Sequence, residues 1–444
     1  MPTVKPPLNM SRRRFLKTAA AVAAPAIIPA RVLSGPRAPS ETLTLGCIGV
    51  GRQGQGDMQE AIYRGLEAGA RVVAVCDVDA HRREDAQWLA TRIYAAEGKT
   101  GHYRGIDAYA DFRDLLARKD IDGVLIVTPD FWHGYHGVAA AEADKDIYLE
   151  KPLTYSIAEG RKLVEAVRKN KRVFQTGSQQ RSSIYFLTAC ELVRNGRIGK
   201  LHAIRVTNPT DQGKGDPTPM PVPKYLDYDS WLGPTAERPF TEDRVHPQTS
   251  LERPGWLQIE SYCRGMITGW GSHMNDVAQW GHGTDESGIV EIEARAEFPD
   301  RGLFDVHTTY HAEGLYADGV RLIQDSGDPA GVRFEGDRGW IFCSRSEVKA
   351  SDPAILRQKA GPGEIKLYTS SNHMKNFLEC MRSRKETAAP VEVGHRSNSL
   401  CVITHIAMKL GRKLRWDPAA ERFIGDDEAN RGLDYPHRAP WILG

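Results

Sequence analysis

Thr42-Leu43-Thr44-Leu45-Gly46-Cys47-Ile48-Gly49-Val50-Gly51-Arg52-Gln53-Gly54 begins as an apolar, β-branched run, Thr42 to Val50, and passes directly into a turn. Gly49, Gly51 and Gly54 stand in GxGxxG spacing ahead of the helix-like segment Asp57 to Glu67. Each glycine has its own physical task. The first allows a tight turn, the second lets backbone approach a pyrophosphate, and the third lets helix pack on strand, with phosphates at the positive helix end. A second buried-type strand, Arg71 to Asp77, ends in an acid 23 residues after Gly54. Asp77 is expected to accept the adenosine ribose hydroxyls. An acid there repels a 2′-phosphate and favours NAD, while Arg82 and Arg83 lie close enough in sequence to keep NADP open.

Alternation continues on the C-terminal side. Phe112 to Arg118 reads as helix, Gly123 to Val127 as strand, Gly134 to Ala143 as helix, Asp146 to Leu149 as strand, Ile157 to Asn170 as helix and Arg172 to Gln175 as strand. Strands separated by helices of this length imply right-handed crossovers and a parallel sheet. Ligands sit at strand C-termini in such sheets, and three strands end in polar residues: Thr128-Pro129-Asp130 with His133, Glu150-Lys151-Pro152, and Gly177 with Gln179 and Arg181.

Farther along, Ile289 to Phe298, Phe304 to His311, Gly319 to Gln324, Val332 to Phe334 and Gly339 to Cys343 alternate or run apolar between glycine-rich turns, as in an antiparallel sheet. Ser371 to Ser383 and Arg396 to Leu410 have helical apolar spacing. Between the halves, Thr207 to Gly255 is a long proline-rich and polar stretch. Its aromatics Tyr225, Tyr228, Trp231, Phe240 and Trp256, with Arg244, His246 and Gln248, suit sugar recognition or pin the loop to the body; both stay open. The tail from Trp416 to Gly444 lacks periodicity and is expected to wrap over the body or a partner subunit.

Composition narrows the class. A chain of 444 residues with 41% hydrophobic and 26% charged residues is an ordinary folded protein of two or three domains, not a disordered or multi-span membrane chain. Its 59 Lys plus Arg against 57 Asp plus Glu, a formal +2, leave no basic surplus that would advertise nucleic acid. Seven cysteines are scattered singly and read as core residues. No HExxH spacing marks zinc and no GxSxG elbow marks serine hydrolysis, so no metal is expected. Ser11-Arg12-Arg13-Arg14-Phe15-Leu16-Lys17 followed by the small, apolar run Thr18 to Ala30 matches a twin-arginine export signal; 13 residues are too few to span a membrane. Removing residues 1–30 leaves 54 bases against 57 acids, so the exported protein is mildly acidic.

With these residues in view, the chain resembles the Gfo/Idh/MocA family, the relatives of glucose-fructose oxidoreductase and inositol dehydrogenase, over essentially the whole mature chain. The marks are Gly49-Val50-Gly51-Arg52-Gln53-Gly54, Thr128-Pro129-Asp130 with His133, Glu150-Lys151-Pro152, Trp231-Leu232-Gly233-Pro234 and Gly271-Ser272-His273-Met274-Asn275-Asp276, in that order. The resemblance implies an α/β fold: a Rossmann dinucleotide-binding domain over 42–176, then an α/β domain over 177–444 whose open, mainly antiparallel sheet carries the substrate pocket and often the oligomer contact. Residues 1–34 are then signal and linker. It also implies a nicotinamide cofactor, a sugar or cyclitol substrate and a homo-oligomer.

Carried over position by position, the resemblance makes Lys151 the lysine that contacts substrate hydroxyl and cofactor, and His273 the histidine that takes the hydroxyl proton. Gly49, Gly51, Arg52, Gln53, Gly54, Asp77, Thr128, Pro129, His133, Glu150 and Lys151 are expected at the cofactor, and Arg181, Trp231, His246 and Asp276 at the substrate. A base with pKa near the working pH suits abstraction of a hydroxyl proton, and a neutral imidazole meets that need. One departure stands out. Many members place Asp four residues before this histidine, where it orients the ring, but here the position is Gly269. Asp276, three positions after His273, could bind the ring or a sugar hydroxyl, or be an ordinary acid. The expected function is an exported NAD(P)-dependent oxidoreductase acting on a sugar, cyclitol or glycoside hydroxyl with tightly bound cofactor. Two alternatives stay open: a redox-neutral, NAD-dependent glycosidase working by oxidation and elimination, and a non-catalytic sugar-binding relative.

Overall fold

The computed structural model describes residues 42–97, 105–248, 250–358 and 361–443. The signal and linker expected over 1–34 lie outside the described residues.

Six strands form the first sheet: β1 (Leu43–Ile48), β2 (Ala70–Cys76), β3 (Asp107–Tyr109), β4 (Gly123–Ile126), β5 (Asp146–Leu149) and β6 (Phe174–Thr176). They pair in parallel in the order β3-β2-β1-β4-β5-β6, the doubly wound arrangement in which strand order reverses between β1 and β4. Helices α1 (Arg52–Ala68), α2 (Ala80–Ala96), α3 (Asp130–Glu142) and α4 (Ile157–Lys169) make the crossovers with the short helix Phe112–Leu116. Both faces of the sheet are apolar, as a parallel sheet covered on two sides requires. Leu45, Cys47 and Leu125 pack with Met58, Ile62 and Ala90 on one face, and Ile48, Val124 and Ile126 pack with Phe131 and Leu163 on the other.

Local chemistry sets the helix ends. Asp79 caps α2 by accepting from the amides of His81 and Arg82, and Ser156 with Glu159 forms a complete capping box on α4. Helix α1 begins at Arg52, five residues before the apolar pattern at Asp57 suggests, because its first turn is built of glycines and polar residues that carry no periodic signal. Helix α2 and strand β3 are absent from the sequence expectation for a related reason: α2 carries many charges around its axis, and β3 is only three residues long.

The second sheet has nine strands. β7 (Leu201–Asn208), β8 (Ile289–Glu297), β9 (Thr309–Tyr316), β10 (Arg321–Ser326), β11 (Gly331–Gly336), β12 (Gly339–Cys343), β13 (Val348–Ala350), β14 (Leu414–Asp417) and β15 (Arg422–Phe423) run in the order β13-β12-β11-β7-β10-β9-β8-β14-β15. All neighbours are antiparallel except β7 and β10. Strand β9 starts at Thr309 instead of Phe304, since Leu303, Phe304, Asp305 and Val306 hydrogen-bond outward to Gly215, Lys214 and Gln258. One face is covered by α5 (Ile184–Arg194), α6 (Gly271–His282) and, after α7 (His373–Ser383), by α8 (Val391–Leu410). The opposite face carries charged pairs such as Arg205–Glu335 and Arg321–Glu313.

The two sheets are not joined by a simple linker at 176. Helix α7, from the C-terminal part of the chain, packs Met374, Phe377, Leu378 and Met381 into the core beside α1 and the first sheet. The tail folds onto the body: Tyr435 donates to Glu159, Arg438 to the Gly233 carbonyl, and Trp441 meets Trp132 edge-on at 4.9 Å. All seven cysteines are buried and unpaired.

Candidate active site

A cleft of about 410 Å³ opens at the C-terminal ends of β1, β2, β4 and β5. Its floor is the glycine turn. Gly49 has φ +80°, a left-handed conformation that favours glycine, and a Cβ there would lie 2.6 Å from the Val127 carbonyl oxygen. A Cβ on Gly54 would lie 2.1 Å from the Gly49 carbonyl oxygen, so only glycine lets α1 close on the turn. Gly51 differs, because its nearest heavy atom would be 3.8 Å away and the space above it belongs to the cleft. It is also the N-cap of α1, with no side-chain cap and no acid in the first turn. The amides at that helix end therefore face no competing anion, and the residues fit a dinucleotide pyrophosphate.

Asp77 lines the cleft at the end of β2 and is tied to backbone: Oδ2 accepts from the Val50 amide at 2.9 Å and Oδ1 from the Asp79 amide at 3.0 Å. Burial holds its carboxyl above the usual range. Each oxygen keeps a lone pair for a ribose hydroxyl. Arg82 donates to the Pro247 and Ser250 carbonyls, and Arg83 donates to the carbonyl of Asp77 itself. Arg52 and Gln53 line the cleft as well, the Gln53 amide donating to Asp57 at 2.9 Å.

Across the cleft stand Thr128, Pro129, Asp130, His133, Glu150 and Lys151. His133 bridges two of these segments, with Nδ1 2.7 Å from the Pro152 carbonyl and Nε2 2.8 Å from the Thr128 carbonyl; burial lowers its pKa to about 4. Its ring thereby ties the end of β4 to the Lys151–Pro152 turn. Glu150 is buried and raised by desolvation. Its Oε1 accepts from Gln179 at 2.5 Å, and its Oε2 from the Lys151 amide at 3.2 Å. Gly177 lies against it, and a Cβ there would fall 2.3 Å from Glu150 Oε1 and displace the carboxylate.

Asp130 is absent from the residues assigned to the site by sequence. It is 4% exposed, lines the cleft, and its Oδ2 has no hydrogen-bond partner among the described residues. Burial raises its pKa to about 7 against the pull of Lys151. The Thr-Pro-Asp sequence carried a trace of this, but nothing local says that the first residue of α3 is buried.

The long stretch after β7 closes the cleft. Trp231 and Trp256 line it together with Trp441 from the tail. Trp231 is packed against Phe131, Tyr228 and Tyr262, and its buried indole Nε1 finds no partner among the described residues. Phe240 packs edge-on to Tyr228, and Arg244 binds the Pro239 carbonyl and Tyr262, so these members pin the loop. His246 is placed away from the expected substrate position: its Nε2 lies 2.8 Å from Asp79 Oδ2, at the cap of α2.

His273 sits on α6 at 4% exposure and is not among the residues lining the cleft. Burial, then the charges of Lys151 and Arg345, drive its pKa well below the ordinary value. The end of the Gln180 side-chain amide lies 2.7 Å from His273 Nδ1 on one side and 3.2 Å from Arg345 Nε and Nη2 on the other; hydrogen-bond matching turns its oxygen to the Arg345 donors and its nitrogen to Nδ1. Arg345 in turn lies 4.5 Å over the Trp270 ring. Asp276 does not reach His273 by any recorded hydrogen bond. Instead Arg181 donates to both Asp276 oxygens at 2.8 and 2.9 Å and to Asp285 at 2.6 Å, and Ser397 donates to Asp276 at 2.8 Å. Arg181 and Asp276 are 5% and 0% exposed, so this pair, expected at the substrate, is a buried clamp between α6, α8 and the segment before α5.

Known proteins resemble the chain in the same two parts. A family model described as "Oxidoreductase family, NAD-binding Rossmann fold" matches residues 43–178, and "Oxidoreductase family, C-terminal alpha/beta domain" matches 208–443. A twin-arginine translocation signal matches 9–29. The inositol 2-dehydrogenase of Salmonella typhimurium is 32% identical over 160 residues, covering 36% of this chain and 44% of that protein. A glycosyl hydrolase family 109 protein of Shewanella pealeana is 28% identical over 215 residues, covering 44% of this chain and 45% of its own length. The chain thus spans less than half the length of these relatives. The WlbA dehydrogenase of Chromobacterium violaceum, solved with NADH and UDP-GlcNAcA, superposes with a TM-score of 0.61 at 16% identity, over 86% of this chain and 98% of that one. At that identity the likeness shows the fold. No described helix is long and apolar enough to cross a membrane.

Proposed function

The chain belongs to the Gfo/Idh/MocA oxidoreductase family, and on that basis we propose an exported NAD-dependent enzyme that acts on a hydroxyl-bearing carbon of a sugar, cyclitol or glycoside. The observation that carries this is the sharing of one cleft by the uncapped, glycine-built end of α1 and Lys151. Bound there, a nicotinamide dinucleotide supplies the hydride acceptor. The chain's own residues do the rest. Gly51 and the first turn of α1 bind the pyrophosphate. Asp77 accepts from the ribose, and its carboxylate there supports NAD over NADP. Lys151 contacts the reacting oxygen, with the buried carboxyls of Asp130 and Glu150 beside it, both raised by desolvation against its pull. His273 contacts the same oxygen from α6, and the Arg181–Asp276 clamp holds that helix in place. Trp256, only partly buried at the cleft wall, is the ring placed to stack on a sugar, with Trp231 packed behind the wall. Twin-arginine routes carry folded cargo, which suits a protein that acquires its cofactor before export.

A second reading has support from Gly269, which removes the carboxylate expected beside His273, and from the family 109 relative: net redox-neutral cleavage of a glycoside. Purified exported protein incubated with a panel of sugars and aryl glycosides separates the two. Stoichiometric formation of reduced nicotinamide with a keto product is the expected result, and aglycone release without net reduction selects the second reading. Protein that takes up no nicotinamide dinucleotide at excess NAD overturns both.

A further inference from the structure

We propose that Gln180, oriented by Arg345, holds His273 as the neutral imidazole with its proton on Nε2, making His273 a hydrogen-bond donor to a substrate oxygen instead of the proton acceptor that the family resemblance implies. Gln180 is 3% exposed and lies between two partners. Arg345 offers donors only, so the amide oxygen must face it, and the amide nitrogen is then turned toward His273 Nδ1 at 2.7 Å. The reverse orientation would set the amide N–H groups of buried Gln180 against the Arg345 donors and leave its oxygen beside His273 Nδ1. Arg345 is exposed, and its guanidinium lies over the Trp270 ring at 4.5 Å, a contact that favours this placement. An Nδ1 that accepts a hydrogen bond carries no proton, so in the neutral ring the proton is on Nε2. Nε2 has no partner among the described residues. The positive charges of Lys151 and Arg345 and the burial of the ring all oppose a second proton. Position 269, where the family resemblance implies a carboxylate that orients the ring, is glycine here, so no acid from that position competes with the Gln180 amide.

The consequence is a division of labour. His273 polarises an oxygen by donation, and acceptance of the hydroxyl proton falls to the groups lining the cleft, Lys151 and Asp130. Gln180 and Arg345 act through His273 and are positioning residues. The substrate contact rests on the function proposed above; the tautomer itself does not.

Neutron diffraction from perdeuterated crystals of the mature protein tests the tautomer directly. A deuteron on Nε2 and none on Nδ1 is the expected result, and a deuteron on Nδ1 overturns the proposal whatever the protein's activity. Kinetics tests the role. Gln180→Leu is expected to lower kcat about 10²-fold with KM changed far less, the scale of a lost transition-state donor. Gln180→Glu places a carboxylate against Nδ1, and its pH–rate profile is expected to gain a limb from His273 titration that the native enzyme lacks. A native profile that already shows that limb, or a Gln180→Glu profile that superposes on it, overturns the donor role. Absence of any turnover in native protein, with the deuteron on Nε2, instead refutes the proposed function and leaves the tautomer standing.

Discussion

Lys151 and Asp130 show how far a side chain's chemistry depends on its neighbours. Lys151 is recognisable from the Glu-Lys-Pro motif and lines the cleft beside Asp130 and Glu150, where we propose it meets the reacting oxygen. Lys151→Ala is expected to lower turnover by about 10²–10⁴-fold, as loss of a group that handles a proton does, while a fluorescence titration finds nicotinamide binding largely intact. Unchanged turnover removes Lys151 from the chemistry. Asp130 has a folded pKa of about 7 against 3.8 for a free carboxyl, because burial disfavours its charge. The folded state therefore holds the proton more tightly, and the group's contribution is favourable below about pH 4 and is lost as pH rises toward 7. Asp130→Asn removes that dependence. Urea unfolding should show the variant gaining on the native protein between pH 5 and pH 8, and an equal difference at both pH values contradicts the assigned burial cost.

The turn between β1 and α1 and the clamp beneath α6 are matters of packed elements. With only 2.1 Å from a Gly54 Cβ to the Gly49 carbonyl, Gly54→Ala must push α1 off the turn. A loss of about 1–3 kcal/mol is expected from overpacking alone, together with loss of cofactor binding, read by thermal unfolding and by titration. Retained binding at native affinity would show that the pyrophosphate does not use this turn. Asp276→Ala breaks a buried ion pair and leaves Arg181 with Asp285 alone. It is expected to cost about 3–5 kcal/mol in denaturant unfolding, near the low end because one carboxylate remains. A loss of catalysis without loss of stability would instead return Asp276 to the substrate, where the sequence places it.

Arg12→Lys with Arg13→Lys should keep the precursor in the cytoplasm, measured by fractionation, since the twin-arginine pattern is matched at 9–29. Normal export of that variant would contradict the signal. Assembly of the body reaches across the sequence: α7 completes the core of the first sheet, and Trp441 of the tail lines the cleft begun by Gly49. Division of the chain at 176 therefore separates the sheets without separating their cores.

Much of this was readable from residue order because it rests on short-range physics. The left-handed turn at Gly49, the alternation of strand and helix, the acid at the end of β2 and the twin-arginine patch each depend on a few adjacent residues. Charge-laden α2, three-residue β3 and the polar start of α1 escaped because their signals are weak locally and packing supplies the rest. Placement of side chains escaped for a stronger reason. His246 resting on Asp79, Arg181 locked to Asp276, Asp130 buried at the cleft, and Gln180 set between Arg345 and His273 are pairings of segments far apart in the chain. Such hydrogen bonds and burial costs exist only once distant elements meet. The order of residues therefore decides which dinucleotide turn and which export route this protein carries, and packing decides which nitrogen of His273 holds the proton.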